Sequence, residues 1–303
     1  MKITNKFGMP QPFVDFAIND KYSKGKADIS VTSLIDSPRV RIMKDVYHDQ
    51  IEVDAVDMVW ALFGTAVHSV LEQSNSSKNI INEERIFAEL NGWILSGALD
   101  RQEITDNVAS IIDYKVTSVW SVIYGKIEWE RQLNCYAWLY RQKKENIGKS
   151  VGSLKICAIL RDWNRRDAEK KENYPQAPIV FVDIPLWDAE IAHQYVSERL
   201  HLHQDAQMSY DLLKDLPLCT DEERWKKNDT WAVKKKGQKR AIRVLESEHE
   251  AEKYINWHNE TDTAYIKKTD LEIEFRCGEH TRCGNYCSVA DFCNQYKGEK
   301  DGR

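Results

Sequence analysis

The chain has 303 residues, 42% hydrophobic, 10% aromatic and 30% charged, with a formal net charge of −5. This is enough apolar material for one large or two smaller cored domains, while a mean hydropathy of −0.59 and the lack of any run near ~18 apolar residues speak against a membrane protein. The acidic balance excludes a coat held to nucleic acid by charge alone, since such proteins are basic.

Residues 1–55 read as an N-terminal helical clasp, with Thr32 to Arg39 as a turn or helix entry. Met1-Lys2-Ile3-Thr4-Asn5-Lys6 lacks the apolar centre of a signal peptide, so a cytoplasmic chain is expected. From Val56 to Gln73 apolar residues recur at helical spacing. Residues 83–117 alternate like strands, over Glu84 to Leu90, Trp93 to Leu99 and Ser110 to Val116. A helix from Trp129 to Lys144, a strand from Leu154 to Leu160, a polar loop over 161–178, a strand from Ile179 to Ile184 and a helix from Asp188 to Met208 complete a core over 56–216. Residues 217–265 form an accessory segment: a basic hairpin, Trp231 to Val244, turning at Lys236-Gly237-Gln238, and then a short helix. The tail, 266–303, is cysteine-rich and is expected to pack on the core.

Two carboxylates and a lysine arrive on neighbouring strand-like runs. Asp100 ends Ser96-Gly97-Ala98-Leu99-Asp100, and Ile111-Ile112-Asp113-Tyr114-Lys115 carries the other two. Hard oxygen donors at fixed separation, with a point charge beside them, suit a divalent cation and a scissile phosphate. Gly97 allows a close approach to the first strand. An ionised Asp113 behind Ile111-Ile112 needs a partner, because burying a lone charge is very costly. A cation supplies one; so does Lys115, two residues on and on the same strand face. His68 lies one helical turn after Gly64 and is either a metal ligand beside the acid pair or a core histidine bonded to a carbonyl. Gln132 and Tyr136 are four apart on the next helix, with Trp129 a turn earlier. Amide and phenol can bind a phosphate or a base, and Trp129 can stack on a base; a helix with core-facing aromatics is the plainer alternative.

Gly64-Thr65-Ala66-Val67-His68, Gly97-Ala98-Leu99-Asp100, Asp113-Tyr114-Lys115 and Gln132-Leu133-Asn134-Cys135-Tyr136 resemble, in order and spacing, the motifs of the RecB-type branch of the PD-(D/E)XK nuclease superfamily. That branch includes CRISPR-associated exonucleases with cysteine-rich tails and related phage proteins. The resemblance implies an α/β fold: a mixed central β-sheet flanked by helices, with the nuclease core over 56–216 and the active site at one sheet edge. It also implies Mg²⁺- or Mn²⁺-dependent hydrolysis of DNA. Under it, His68, Asp100, Asp113 and the backbone carbonyl of Tyr114 ligate the metal, Lys115 positions or activates the attacking water, and Gln132 and Tyr136 orient Lys115 and the DNA backbone. Glu72 and Glu103 are candidate outer groups. The expected protein is a DNA exonuclease acting on single strands or duplex ends in recombination, repair or phage DNA processing, with a helicase or recombination protein as a candidate partner. A structure-specific endonuclease, and an inactive DNA-binding or partner-docking protein on the same fold, are the alternatives.

Seven cysteines, an odd number, read as reduced thiols or metal ligands rather than a disulfide framework. Cys277, Cys283, Cys287 and Cys293 are candidates for an iron–sulfur cluster or a zinc ion. Family members with a cluster take one cysteine from before the core and three from the tail. Here no cysteine precedes Cys135, and Ser37 stands roughly where that ligand is expected. Cys277 would have to substitute, or the four sulfurs simply pack. Cys135, Cys157 and Cys219 are expected to pack as small apolar residues. Two basic groups, Lys234-Lys235-Lys236 with Lys239, Arg240 and Arg243, and Arg161, Arg165 and Arg166 near Trp163, are either solvated cations or DNA contacts.

Overall fold

The computed structural model describes residues 1–19, 25–74, 77–260 and 271–301, and the chain divides into two units, Met1–Pro217 and Leu218–Arg303. The first unit begins with β1 (Lys2–Thr4), α1 (Gln11–Ile18), β2 (Ile29–Ser30), α2 (Val31–Leu34), α3 (Pro38–Val46) and β3 (Glu52–Asp54). A 3-10 turn, Ala55–Met58, leads into α4 (Val59–Glu72). Three long strands follow, β4 (Ile80–Leu90), β5 (Trp93–Thr105) and β6 (Val108–Thr117), then α5 (Val119–Tyr124) and α6 (Ile127–Gln142). The unit ends with β7 (Ser150–Leu160), α7 (Arg165–Ala168), β8 (Ile179–Ile184) and α8 (Ala189–Leu213). The expected strands all form, and most run longer than the apolar runs that announced them, because ladder pairing continues past them.

Two tight turns fold β4, β5 and β6 into a meander. Asn91 and Gly92, at φ +53° and +76°, close the first hairpin at Leu90↔Trp93, and Asp106 and Asn107, at +51° and +64°, close the second at Thr105↔Val108. Two successive left-handed residues match the twist of the flanking strands, and Asn, Asp and Gly tolerate them. β7 then pairs parallel with β6, and β8 antiparallel with β7. The result is a mixed sheet in the order β2-β5-β6-β7-β8, with β4 on β5.

Helix α6 is the central helix. From Leu133 to Tyr140 every residue is buried. Gly97 lets it press onto β5: a Cβ there would lie 2.8 Å from Leu139 Cδ1 and from the Tyr136 ring. Over α6 lies α8, whose Ala192, Val196, Leu200, His203 and Ala206 recur every three or four residues and are buried. By contrast α4 buries only Leu71 among its described side chains, leaving Trp60 and Phe63 half exposed beside an apolar groove of about 680 Å³ against Tyr114, Val116 and Ile159.

The second unit holds a three-stranded antiparallel sheet, β10-β9-β11, built from β9 (Thr230–Lys235), β10 (Ala241–Leu245) and β11 (Leu271–Arg276). Helix α9 (Glu248–Glu260) packs on it through Ala251 and Ile255, against Val233 and Leu271. Short helices α10 (Thr281–Asn285) and α11 (Asn294–Asp301) carry the tail. The boundary expected at 265/266 lies outside the described residues. Among the described residues no helix is long and apolar enough to cross a membrane.

Candidate active site

β5 has different neighbours along its two halves. β4 flanks it from Leu90↔Trp93 to Ile80↔Glu103. On the other side, β2 takes Leu95 and Ser96, whereas β6 takes only Arg101 to Thr105. Asp100 and Asp113 adjoin the last β5–β6 pair, Arg101↔Ile112, where the two strands part. Parting strands leave backbone groups in need of partners, and here the Tyr114 N–H donates to Asp100 Oδ2 at 2.7 Å.

Both aspartates are almost fully buried. Lys115 Nζ lies 2.7 Å from Asp113 Oδ2, yet that oxygen accepts no hydrogen bond of good geometry. The other oxygen, Oδ1, accepts from Gln132 Nε2 at 3.3 Å, and the same amide donates to Tyr136 Oη at 2.7 Å. Helix α4 brings His68 in from the side, its Nδ1 3.7 Å from Asp100 Oδ1 and 2.8 Å from Glu83 Oε1. The four motifs thus converge on one fork.

The electrostatics record the crowding. Burial, and then the neighbouring Asp113, push the Asp100 carboxyl well above the usual carboxylate range. The Lys115 ammonium is desolvated, which works against its charge, but Asp113 and Asp100 outweigh this and hold it above its ordinary value. The hydrogen bond to Glu83 raises the His68 imidazole, against the opposing effect of burial. Donor atoms of His68, Glu83 and Asp100 all lie within 4.8 Å of one another, the one such group of three or more His, Cys, Asp or Glu among the described residues. An imidazole and buried carboxylate oxygens are a donor set that fits a hard divalent cation.

Gln132 and Tyr136 belong to this fork and are buried, the Gln132 amide donating to Asp113 Oδ1. Of the two readings of Trp129, the core-facing one holds: it is buried, with Lys126 Nζ 5.8 Å from its ring, because α6 is central. Glu103 accepts from Arg101 Nε at 2.7 Å; the side chain of Glu72 lies outside the described residues. In the basic hairpin, Lys234 is ion-paired across the sheet to Glu272 at 3.4 Å and to Glu274. Arg161 instead stacks on Trp60, 4.3 Å from the ring centre. Glu83 is the site residue that pattern reading missed, since Asn82-Glu83-Glu84-Arg85 looks like a solvated polar run.

In the tail, Cys277 is exposed, Cys283 and Cys287 are half-buried and Cys293 is buried. Burial pushes the Cys287 thiol up, and Cys283 and Cys293 are close enough to add to the effect. Among the described residues, no three of the tail sulfurs lie within 4.8 Å of one another. Cys135 and Cys157 are buried in the first unit, burial pushing the Cys135 thiol up to about 12. Cys219 is half-buried, its backbone paired both ways with the Gln295 amide at 2.9 Å.

A family model described as the PD-(D/E)XK nuclease superfamily matches residues 75–294. Among solved structures, that of SSO0001 is similar at 18% identity and a TM-score of 0.42, covering 66% of this chain and 87% of that one. A Eubacterium rectale protein that carries an exonuclease name is similar at 13% identity and a TM-score of 0.25, covering 64% of this chain and 70% of that one. No curated protein matches the chain.

Proposed function

The chain belongs to the PD-(D/E)XK nuclease superfamily, and on that premise we propose that it is a Mg²⁺- or Mn²⁺-dependent deoxyribonuclease of the RecB-type branch. In this reading it shortens DNA from an end in recombination, repair or phage DNA processing, with a helicase or recombination protein as partner. The observation that carries the reading is the meeting of His68, Asp100, Asp113 and Lys115 at one strand fork.

His68, Asp100 and Asp113, with the Tyr114 carbonyl, are the proposed holders of the cation, which when bound polarises the phosphate and lowers the pKa of its water. The remaining work falls to the chain's own groups. Lys115, kept charged by two carboxylates, sets a fixed positive charge where negative charge builds on the phosphate. Gln132, held by Tyr136, fixes one oxygen of Asp113 and so the rotamer that Lys115 pairs with. The Tyr114 N–H does the same for Asp100. A negative total charge suits such an enzyme, since bound cations neutralise its catalytic carboxylates.

The test uses purified full-length chain, Mn²⁺ and end-labelled single-stranded and duplex DNA. Short products released from an end are expected, with Asp113→Ala abolishing cleavage while DNA binding is kept. Cutting of closed circles would turn the reading to an endonuclease, and binding without cleavage by the wild type to an inactive DNA-binding protein. Iron, sulfide and zinc analysis of the same preparation tests the tail cysteines.

A further inference from the structure

We propose that Glu83 is a further ligand of the cation, supplied by β4 from the strand facing Asp100. The inference rests on the reading above, because it concerns the same site.

Three independent features point to it. The first is register. Asn82 pairs with Arg101 and Glu84 with Leu99, which sets Glu83 opposite Asp100. Yet Glu83 alone in the interior of β4 has left-handed backbone, at φ +51°. A glutamate rarely adopts that conformation, and inside a strand it is sustained only where the surroundings impose it; such outliers gather at functional sites.

The second is charge. The flanking residues of the polar run are satisfied. Asn82 bonds Ser74 and Arg101 at 2.9 and 3.2 Å, and Glu84 accepts from Lys143 at 2.5 Å and from Gln102 at 2.9 Å. Among the described residues the Glu83 carboxylate, only 22% exposed, has no lysine or arginine; its partner is His68. Glu83, Asp100 and Asp113 therefore face one ammonium, Lys115, and an imidazole. The charge that is missing is positive.

The third is reach. Two ligands of one Mg²⁺ ion, at bond lengths of about 2.1 Å, stand no more than ~4.2 Å apart. Donors of Glu83, His68 and Asp100 already lie within 4.8 Å of one another. The nitrogen of His68 that faces Asp100 is also the one bonded to Glu83, so both carboxylates look into the same space.

Mn²⁺ titration of the full chain, followed by calorimetry and by the electron paramagnetic resonance of free Mn²⁺, tests the assignment. Glu83→Gln should weaken Mn²⁺ binding at least about tenfold, and Glu84→Gln should leave it within twofold. Glu83→Gly should lose the same affinity while raising the metal-free melting temperature, since glycine accepts the left-handed backbone. A direct ligand should still lower affinity in a His68→Ala background; no further loss there would overturn the ligand role in favour of positioning His68. Unchanged Mn²⁺ affinity in Glu83→Gln, with DNA cleavage by the wild type, would overturn this inference and leave the nuclease reading standing. Mn²⁺ binding that depends on Glu83, in a wild type that cleaves no DNA, would support the inference and overturn the nuclease.

Discussion

Two histidine-centred polar clusters of the first unit are built to opposite ends. His203 on α8 is fully buried and fully matched: Arg41 Nε donates to its Nδ1 at 3.1 Å, so the proton sits on Nε2, 3.1 Å from the Leu34 carbonyl. Arg199 also donates to that carbonyl, at 3.0 Å. Burial first, and then Arg41, push His203 down to about 4, so it is neutral. His68 instead sits among carboxylates, in a pocket with more negative than positive charge. A satisfied cluster fastens α2 and α3 to α8. The second cluster keeps carboxylates together against their own repulsion, an arrangement that is enriched at functional sites.

The sharpest way to break this contrast is Lys115→Ala, which should lower kcat on DNA by about 10²–10³-fold, as loss of a preorganised charge does. Initial rates at saturating Mn²⁺ check it. In the matched cluster, His203→Ala should cost about 3 kcal/mol of unfolding free energy, by leaving a cavity beside α2 and taking away the acceptor of Arg41 Nε, with kcat per folded molecule unchanged. Urea unfolding beside activity reads both.

The pH dependence separates the clusters further. The folded pKa of His203 lies below its ordinary 6.5, so its share of stability is complete above that value and is lost as pH falls toward 4. The loss is about 3 kcal/mol, and His203→Gln should remove it from the acid limb of the stability profile. Mn²⁺ at a hundred times its dissociation constant should stabilise the wild type by about 2.7 kcal/mol and Asp100→Ala hardly at all, in thermal unfolding. Last, Asp100→Asn in metal-free buffer should raise stability by roughly 1 kcal/mol while abolishing cleavage, because it relieves a buried carboxylate beside another.

Much of the site was legible because its chemistry is local in sequence. Asp113 and Lys115 share a strand face by period two, and Gln132 and Tyr136 share a helix face by period 3.6; both spacings survive into the structure. Glu83 was not legible, because its role depends on register with β5 and on one backbone angle, neither of which a charge pattern encodes. The sequence leaves Trp129 open between a base-stacking ring and a core-facing one, because helical periodicity marks an apolar stripe without saying which helix is central; α6 is central and buries it, while Trp60 and Phe63 on α4 stay about half exposed. The parallel pairing of β1 with β3 joins Lys2 to Glu52 across some fifty residues, beyond any local signal.

β2 is only two residues long, yet it lies along the stretch of β5 that β6 leaves uncovered. Asp28 lengthens it, its N–H donating to the Ile94 carbonyl at 2.9 Å and its carboxylate accepting from the Ile94 N–H at 2.7 Å. Without this small cover, Ile94 to Ser96 would offer bare amides and carbonyls to any passing strand. The amino-terminal arm therefore serves as a guard against edge-to-edge aggregation, and a chain shortened to begin after residue 30 should precipitate where the full one stays dispersed.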